Sequence, residues 1–119
     1  MSKTKIIHEL TNLLAKALRH KIGSIVNSNE IYAQKYAKDS EILMKEAQKI
    51  AIKENWNNYD KVKIKKELER KLKLELEKKD FLDNKKFEIM EEEVEKALKF
   101  FDLKWLWTEA RYSVRFQAL

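Results

Sequence analysis

A chain of 119 residues with no proline and a single glycine has almost none of the residues that break helices or close tight turns. Glycine and proline are the usual punctuation between elements, so the boundaries of this chain must be read from other residues. The same counts remove classes of chemistry. One glycine cannot build a phosphate-cradling loop or a nucleophile elbow, and the lack of cysteine rules out disulfides, thiolate metal sites and thiol nucleophiles.

Turns must then come from short polar side chains that hydrogen-bond their own backbone. Three such clusters occur: Asn27 to Asn29, Asn55 to Asp60, and Asp80 to Asn84. They divide the chain into four helical segments, expected at residues 3–26, 29–54, 60–79 and 84–107. Apolar residues recur at spacings of three and four in each. In the first, Ile7, Leu14, Leu18, Ile22 and Ile25 join Ile6, Leu10, Leu13 and Ala17 in a broad stripe. Gly23 reads as a frayed last turn or a close helix approach. The second carries Tyr32, Ala33, Tyr36, Ala37, Ser40, Leu43, Met44, Ala47, Ile50 and Ala51, small enough in places for another helix to come near.

The third segment is the ambiguous one, because Val62, Ile64, Leu68, Leu72, Leu74 and Leu76 all fall on even numbers, as a strand's would. Its length and its opposite charges four residues apart, from Lys63/Glu67 to Glu75/Lys79, predict a helix. The fourth shows a seam of Phe87, Met90, Val94, Ala97, Phe101 and Trp105, with glutamates in its first half and lysines in its second, as the helix dipole favours. The fold expected is all-α: one antiparallel bundle of four long helices over residues 1–107. Residues 108–119 form a tail, open to a short fifth helix from Thr108. Either Leu103, Leu106, Trp107, Ala110 and Val114 read as an aromatic anchor that closes the bundle or seats a second subunit, or part of Lys104 to Leu119 reads as a cloning or read-through scar.

Net charge is +6, and 39% of the residues are charged. No apolar stretch approaches the roughly 20 residues of a membrane span. A cytoplasmic protein with no membrane partner is expected, and no cofactor. His8 and His20 lie twelve residues apart on one helix, about 120° around its axis, so they cannot share an ion. Lys5 and Ala17 occupy the positions where a di-iron bundle has glutamate, and no HExxH or calcium loop is present. No metal site is therefore assigned. The run Arg19 to Asn27 resembles the H-box of histidine kinases in setting a histidine before apolar positions. It departs at Lys21, where an acid is expected, and lacks the proline. The resemblance implies phosphotransfer through His20.

The favoured expectation is a non-enzymatic protein-interaction module, a small subunit or homodimer, because a slim bundle cannot absorb all its aromatic side chains. Tyr32, Tyr59, Phe100, Trp105 and Trp107 are the candidate interface residues, with Trp56 and Phe81 also in surplus. The alternative is sequence-neutral nucleic-acid binding through Lys61, Lys65, Lys66, Arg70, Lys73, Lys78 and Lys79, with Trp56 and Tyr59 available to stack on bases.

Overall fold

The computed structural model describes residues 2–26, 31–78 and 85–101. They form four helices: α1 (Lys3–Val26), α2 (Ala33–Ala51), α3 (Asn58–Glu77) and α4 (Lys85–Phe100). Cross-helix contacts set their directions. Ala17 and Lys3 of α1 meet Ser40 and Asn55 respectively, so α2 runs antiparallel to α1. Lys3, Thr11 and Arg19 meet Asp60, Lys71 and Glu75 in rising order, so α3 is parallel to α1. Lys21 and Lys65 both reach α4, at Glu93 and Glu95, and α4 descends again. The result is an up-down-up-down bundle.

α1 is its hub. It packs on all three other helices, α3 and α4 pack on each other, and α2 lies against α1 without an extensive contact to either. That position explains the breadth of the α1 stripe: Ile7, Leu10, Leu14, Leu18 and Ile22 are all buried. They meet Ile64, Leu68, Leu72 and Leu76 of α3 and Val94, Ala97 and Leu98 of α4. α2 contributes mainly alanines, Ala47 and Ala51, which let its backbone approach closely. Buried Ser40 completes this seam by donating from Oγ to the Ala17 carbonyl at 2.7 Å, so the hydroxyl costs little to bury.

The even-numbered apolar run of α3 is resolved by its four-residue spacing. Leu72 and Leu76 are buried whereas Leu74 between them is 46% exposed, the pattern of a helix face rather than a strand face. The intrahelical ion pairs expected there mostly do not form. Among the described residues only Glu67 and Lys71 close, at 4.0 Å, because Lys65 and Glu75 turn to Glu95 and Arg19 on neighbouring helices.

Helix ends differ from the sequence expectation for local reasons. α2 begins at Ala33 rather than 29 and ends at Ala51 rather than 54. Its last turn tightens as Lys53 N–H donates to the Ile50 carbonyl, and the Trp56 indole N–H takes the Ala51 carbonyl at 2.9 Å. α3 starts two residues early because Asn57 is its N-cap. The Asn57 side chain accepts from Asp60 N–H, and the Asp60 carboxylate accepts from Asn57 N–H, a reciprocal capping box. Lys3 locks this corner, donating to the Asn55 carbonyl and pairing with Asp60, both at 2.7 Å, with its ammonium 5.6 Å from the Trp56 ring centre. α4 is described as far as Phe101; the expected extension to 107, with Trp105, and the tail 108–119 lie outside the described residues.

Two packing expectations are corrected. Phe87 is not in the α4 seam but 39% exposed, under the Lys86 ammonium; the seam keeps Met90, Val94, Ala97 and Phe101 and gains Leu98. Ile25 leaves the α1 core stripe and is also exposed. Gly23 marks a close approach rather than a frayed turn: it is buried inside α1, and a methyl group there would meet the Tyr36 ring at 3.4 Å, ordinary van der Waals contact. Gly23→Ala is therefore expected to stabilise the fold by about 0.5–1 kcal/mol through lower chain entropy in the unfolded state. Thermal unfolding checks this; a loss of stability would mean that the Tyr36 ring cannot yield.

Candidate functional site: a groove between α2 and α4

Because α2 packs extensively only on α1 among the described helices, a space is left open between α2 and α4. It forms a groove of about 790 Å³. Leu18, Lys21, Ser24 and Ile25 of α1 make the floor. Ala37, Glu41, Met44 and Gln48, successive turns of one α2 face, make one wall, and Glu93, Lys96, Ala97 and Phe100 of α4 make the other. Phe100 stands at the lip, 68% exposed, its ring edge-on to Phe101 at 5.2 Å between centres. A second hollow of about 550 Å³ below it is bounded by Ile52, Trp56, Lys61 and Phe101.

The groove sets apolar Leu18, Ile25, Met44 and Phe100 beside charged Lys21, Glu93 and Lys96. Glu93 is 3% exposed, an unusual place for a carboxylate. Its Oε1 lies 2.6 Å from Lys21 Nζ, an ion pair without directed hydrogen-bond geometry, and its Oε2 accepts from Lys96 at 3.2 Å. Burial pushes the Glu93 carboxyl up, but the two lysines outweigh it and hold the group below its ordinary value. Asp60 behaves alike: burial raises it, and Lys3 with the Asn57 N–H brings it lower. Glu67 is lowered chiefly by Arg70.

These three depressed carboxylates set a sign for acid stability. The unfolded chain binds protons more readily than the folded one around the ordinary values of 4.5 for Glu67 and Glu93 and 3.8 for Asp60. Their contribution is present above those values and is lost as pH falls through the lower folded ones. Urea midpoints should therefore drop steeply below about pH 4.5, and less steeply in Glu93→Gln. An unchanged midpoint down to about pH 3 would show that the pairs contribute nothing.

No protein-family model matches the chain, and no curated protein or solved structure is significantly similar to it. The geometry therefore stands by itself. Of the expected interface residues, Phe100 lines the groove, whereas exposed Tyr32 and Tyr59 lie elsewhere; Trp105 and Trp107 are outside the described residues. The expected basic set is dispersed: Lys61 lies in the lower hollow and Lys65 pairs with Glu95 at 2.8 Å, its ammonium raised mainly by that hydrogen bond. Lys66, Arg70, Lys73 and Lys78 are exposed, and Lys79 is not described. Trp56, expected to be free for stacking, is part-buried and held by Ala51 and Lys3.

His20 is half-buried, its Nε2 3.0 Å from the Arg19 guanidinium, which can only donate, and its ring 5.9 Å from that of Tyr36. No three His, Asp or Glu side chains among the described residues converge as a metal site requires, and no described helix is long and apolar enough to cross a membrane. The groove-lining residues Ala37, Met44, Lys21 and Glu93 were not identified from sequence. Their only signal there was the helical spacing, which does not say which faces remain uncovered.

Proposed function

We propose that this chain is a non-enzymatic protein-interaction module that self-associates, covering the α2–α4 groove with an apolar helix face of a second copy. The observation that carries this reading is the open groove itself, with Ile25, Met44 and the lip residue Phe100 presenting apolar surface beside a helix that packs extensively only on α1. Large exposed aromatic side chains around a concave apolar surface are the usual composition of an interface centre. The Lys21–Glu93–Lys96 cluster supplies polar groups that fix register, as charges across an interface do.

Sedimentation equilibrium on the full chain tests the proposal. A dimer at micromolar concentration that persists at high ionic strength is expected, because apolar contacts are not screened. Ala37→Arg and Phe100→Glu, both at exposed positions, should shift the protein to monomer with unchanged helicity. A wild-type monomer at these concentrations, or a dimer indifferent to both substitutions, would remove the groove from the account.

A further inference from the structure

The folded arrangement sorts the charges of α3 by sign, which its sequence does not. Seven bases and five acids alternate along Asn58–Glu77, and in the linear chain they offset one another. In the bundle, three of the acids are engaged by cations: Asp60 by Lys3 at 2.7 Å, Glu75 by Arg19 at 3.0 Å, and Glu67 by Arg70 at 2.9 Å. Two of the bases are turned inward as well. Lys71 is buried against Thr11 and His8, and Lys65 reaches across to Glu95.

Positions 59, 63, 66, 70 and 73, spaced four, three, four and three apart, share one ridge of the helix, exposed at all of them except the half-buried 63. These are Tyr59, Lys63, Lys66, Arg70 and Lys73. Lys63, Lys66 and Lys73 form no ion pair among the described residues, and Tyr59 is 78% exposed at the head of the ridge. The ridge extends for about 21 Å at 1.5 Å per residue. Glu77 follows one turn beyond it.

We propose that this outward ridge of α3 is a binding track for single-stranded nucleic acid, with Lys63, Lys66, Arg70 and Lys73 along the phosphates and Tyr59 stacking on a base at one end. A row of cations, three of them without an ion pair among the described residues and Arg70 held by Glu67, ending in an exposed ring is the combination that tracks a flexible strand without reading its sequence. A straight row without groups aimed at base edges carries no sequence code. Lys63 was absent from the sequence-derived basic set; the helical register adds it, and removes Lys61 and Lys65. The ridge is on α3, which does not line the α2–α4 groove, so the proposal is independent of self-association.

Fluorescence anisotropy of a labelled oligothymidylate or oligouridylate titrated with the full chain tests it. Binding is expected at about 50 mM salt and should weaken by about 50-fold at about 200 mM, since four phosphate contacts on a single strand give a log–log slope of about −2.8. The ridge pair Lys66→Glu/Lys73→Glu should weaken binding by about tenfold or more. The control pair Lys45→Glu/Lys49→Glu, exposed on α2 and equal in charge change, should leave it within about threefold. Tyr59→Ser should cost about fivefold or more if the ring stacks. Circular dichroism confirms that each variant remains helical. No binding at low salt, or equal losses from the ridge and control pairs, overturns the proposal. A duplex of the same length binding as tightly as the single strand overturns the choice of ligand.

Discussion

Replacing Leu14 by alanine is expected to remove about 2–5 kcal/mol of stability, the largest effect of any single truncation considered for this chain. Leu14 is fully buried in the middle of α1. α1 is the one helix packed against all the others, so a void there is lined by several elements that cannot all move in to fill it. A domain of this size has about 5–15 kcal/mol in total, and the variant should show a much lower urea midpoint with an unchanged slope. Leu74→Ala provides the contrast: the side chain is nearly half exposed, and its loss should cost about 0.5 kcal/mol or less. Equal midpoints for the two variants would contradict the central position of α1.

Thr11→Val is expected to destabilise the protein by about 1–3 kcal/mol although it changes no volume. The Thr11 hydroxyl donates to the Ile7 carbonyl at 2.8 Å and accepts from the Lys71 ammonium at 2.6 Å. Lys71 is buried between α1 and α3, where burial pushes its ammonium below the ordinary lysine value and only partly offsetting help comes from Glu67. It is kept charged by acceptors: Thr11 Oγ1, the His8 carbonyl at 3.0 Å and His8 Nδ1 at 3.2 Å. Valine removes the shortest of these contacts and leaves a buried cation short of a partner. The double variant Thr11→Val/Lys71→Met removes both groups at similar shape and should recover most of the loss. Urea unfolding of the two singles and the double gives the coupling directly, and additive effects would mean that the 2.6 Å contact is not an energetic one.

Much of the fold was legible in the sequence because helical periodicity is a local property. The missing proline and scarce glycine, the three Asn/Asp/Ser clusters and the three–four spacing place four helices within a few residues of where they stand. The misplacements have tertiary causes. α2 ends at Ala51, whose carbonyl the Trp56 indole takes, and Phe87 lies outside the seam, exposed beside the Lys86 ammonium. Likewise much of the intrahelical pairing predicted for α3 gave way to pairs with Arg19 and Glu95, which only the neighbouring helices make available.

The candidate surfaces were far less legible. A spacing of three and four identifies an apolar stripe but not how many neighbours share it, so it does not show that exposed Ala37, half-buried Met44 and buried Ala97 also edge a groove. Composition likewise recorded the third segment as a basic mixture of interleaved charges, and Trp56 and Tyr59 as equivalent aromatics. Packing made the first half-buried and left the second outward.

By itself, then, the sequence determined the class of fold, the number of helices and the chemistry that the chain lacks, since those depend on residue types and on neighbours within one or two turns. The tertiary structure alone decided that α1 is the hub, that a groove opens between α2 and α4, and that α3 turns its unpaired lysines outward. Those properties depend on which helix lies beside which, and that is set by contacts between residues as far apart as Arg19 and Glu75.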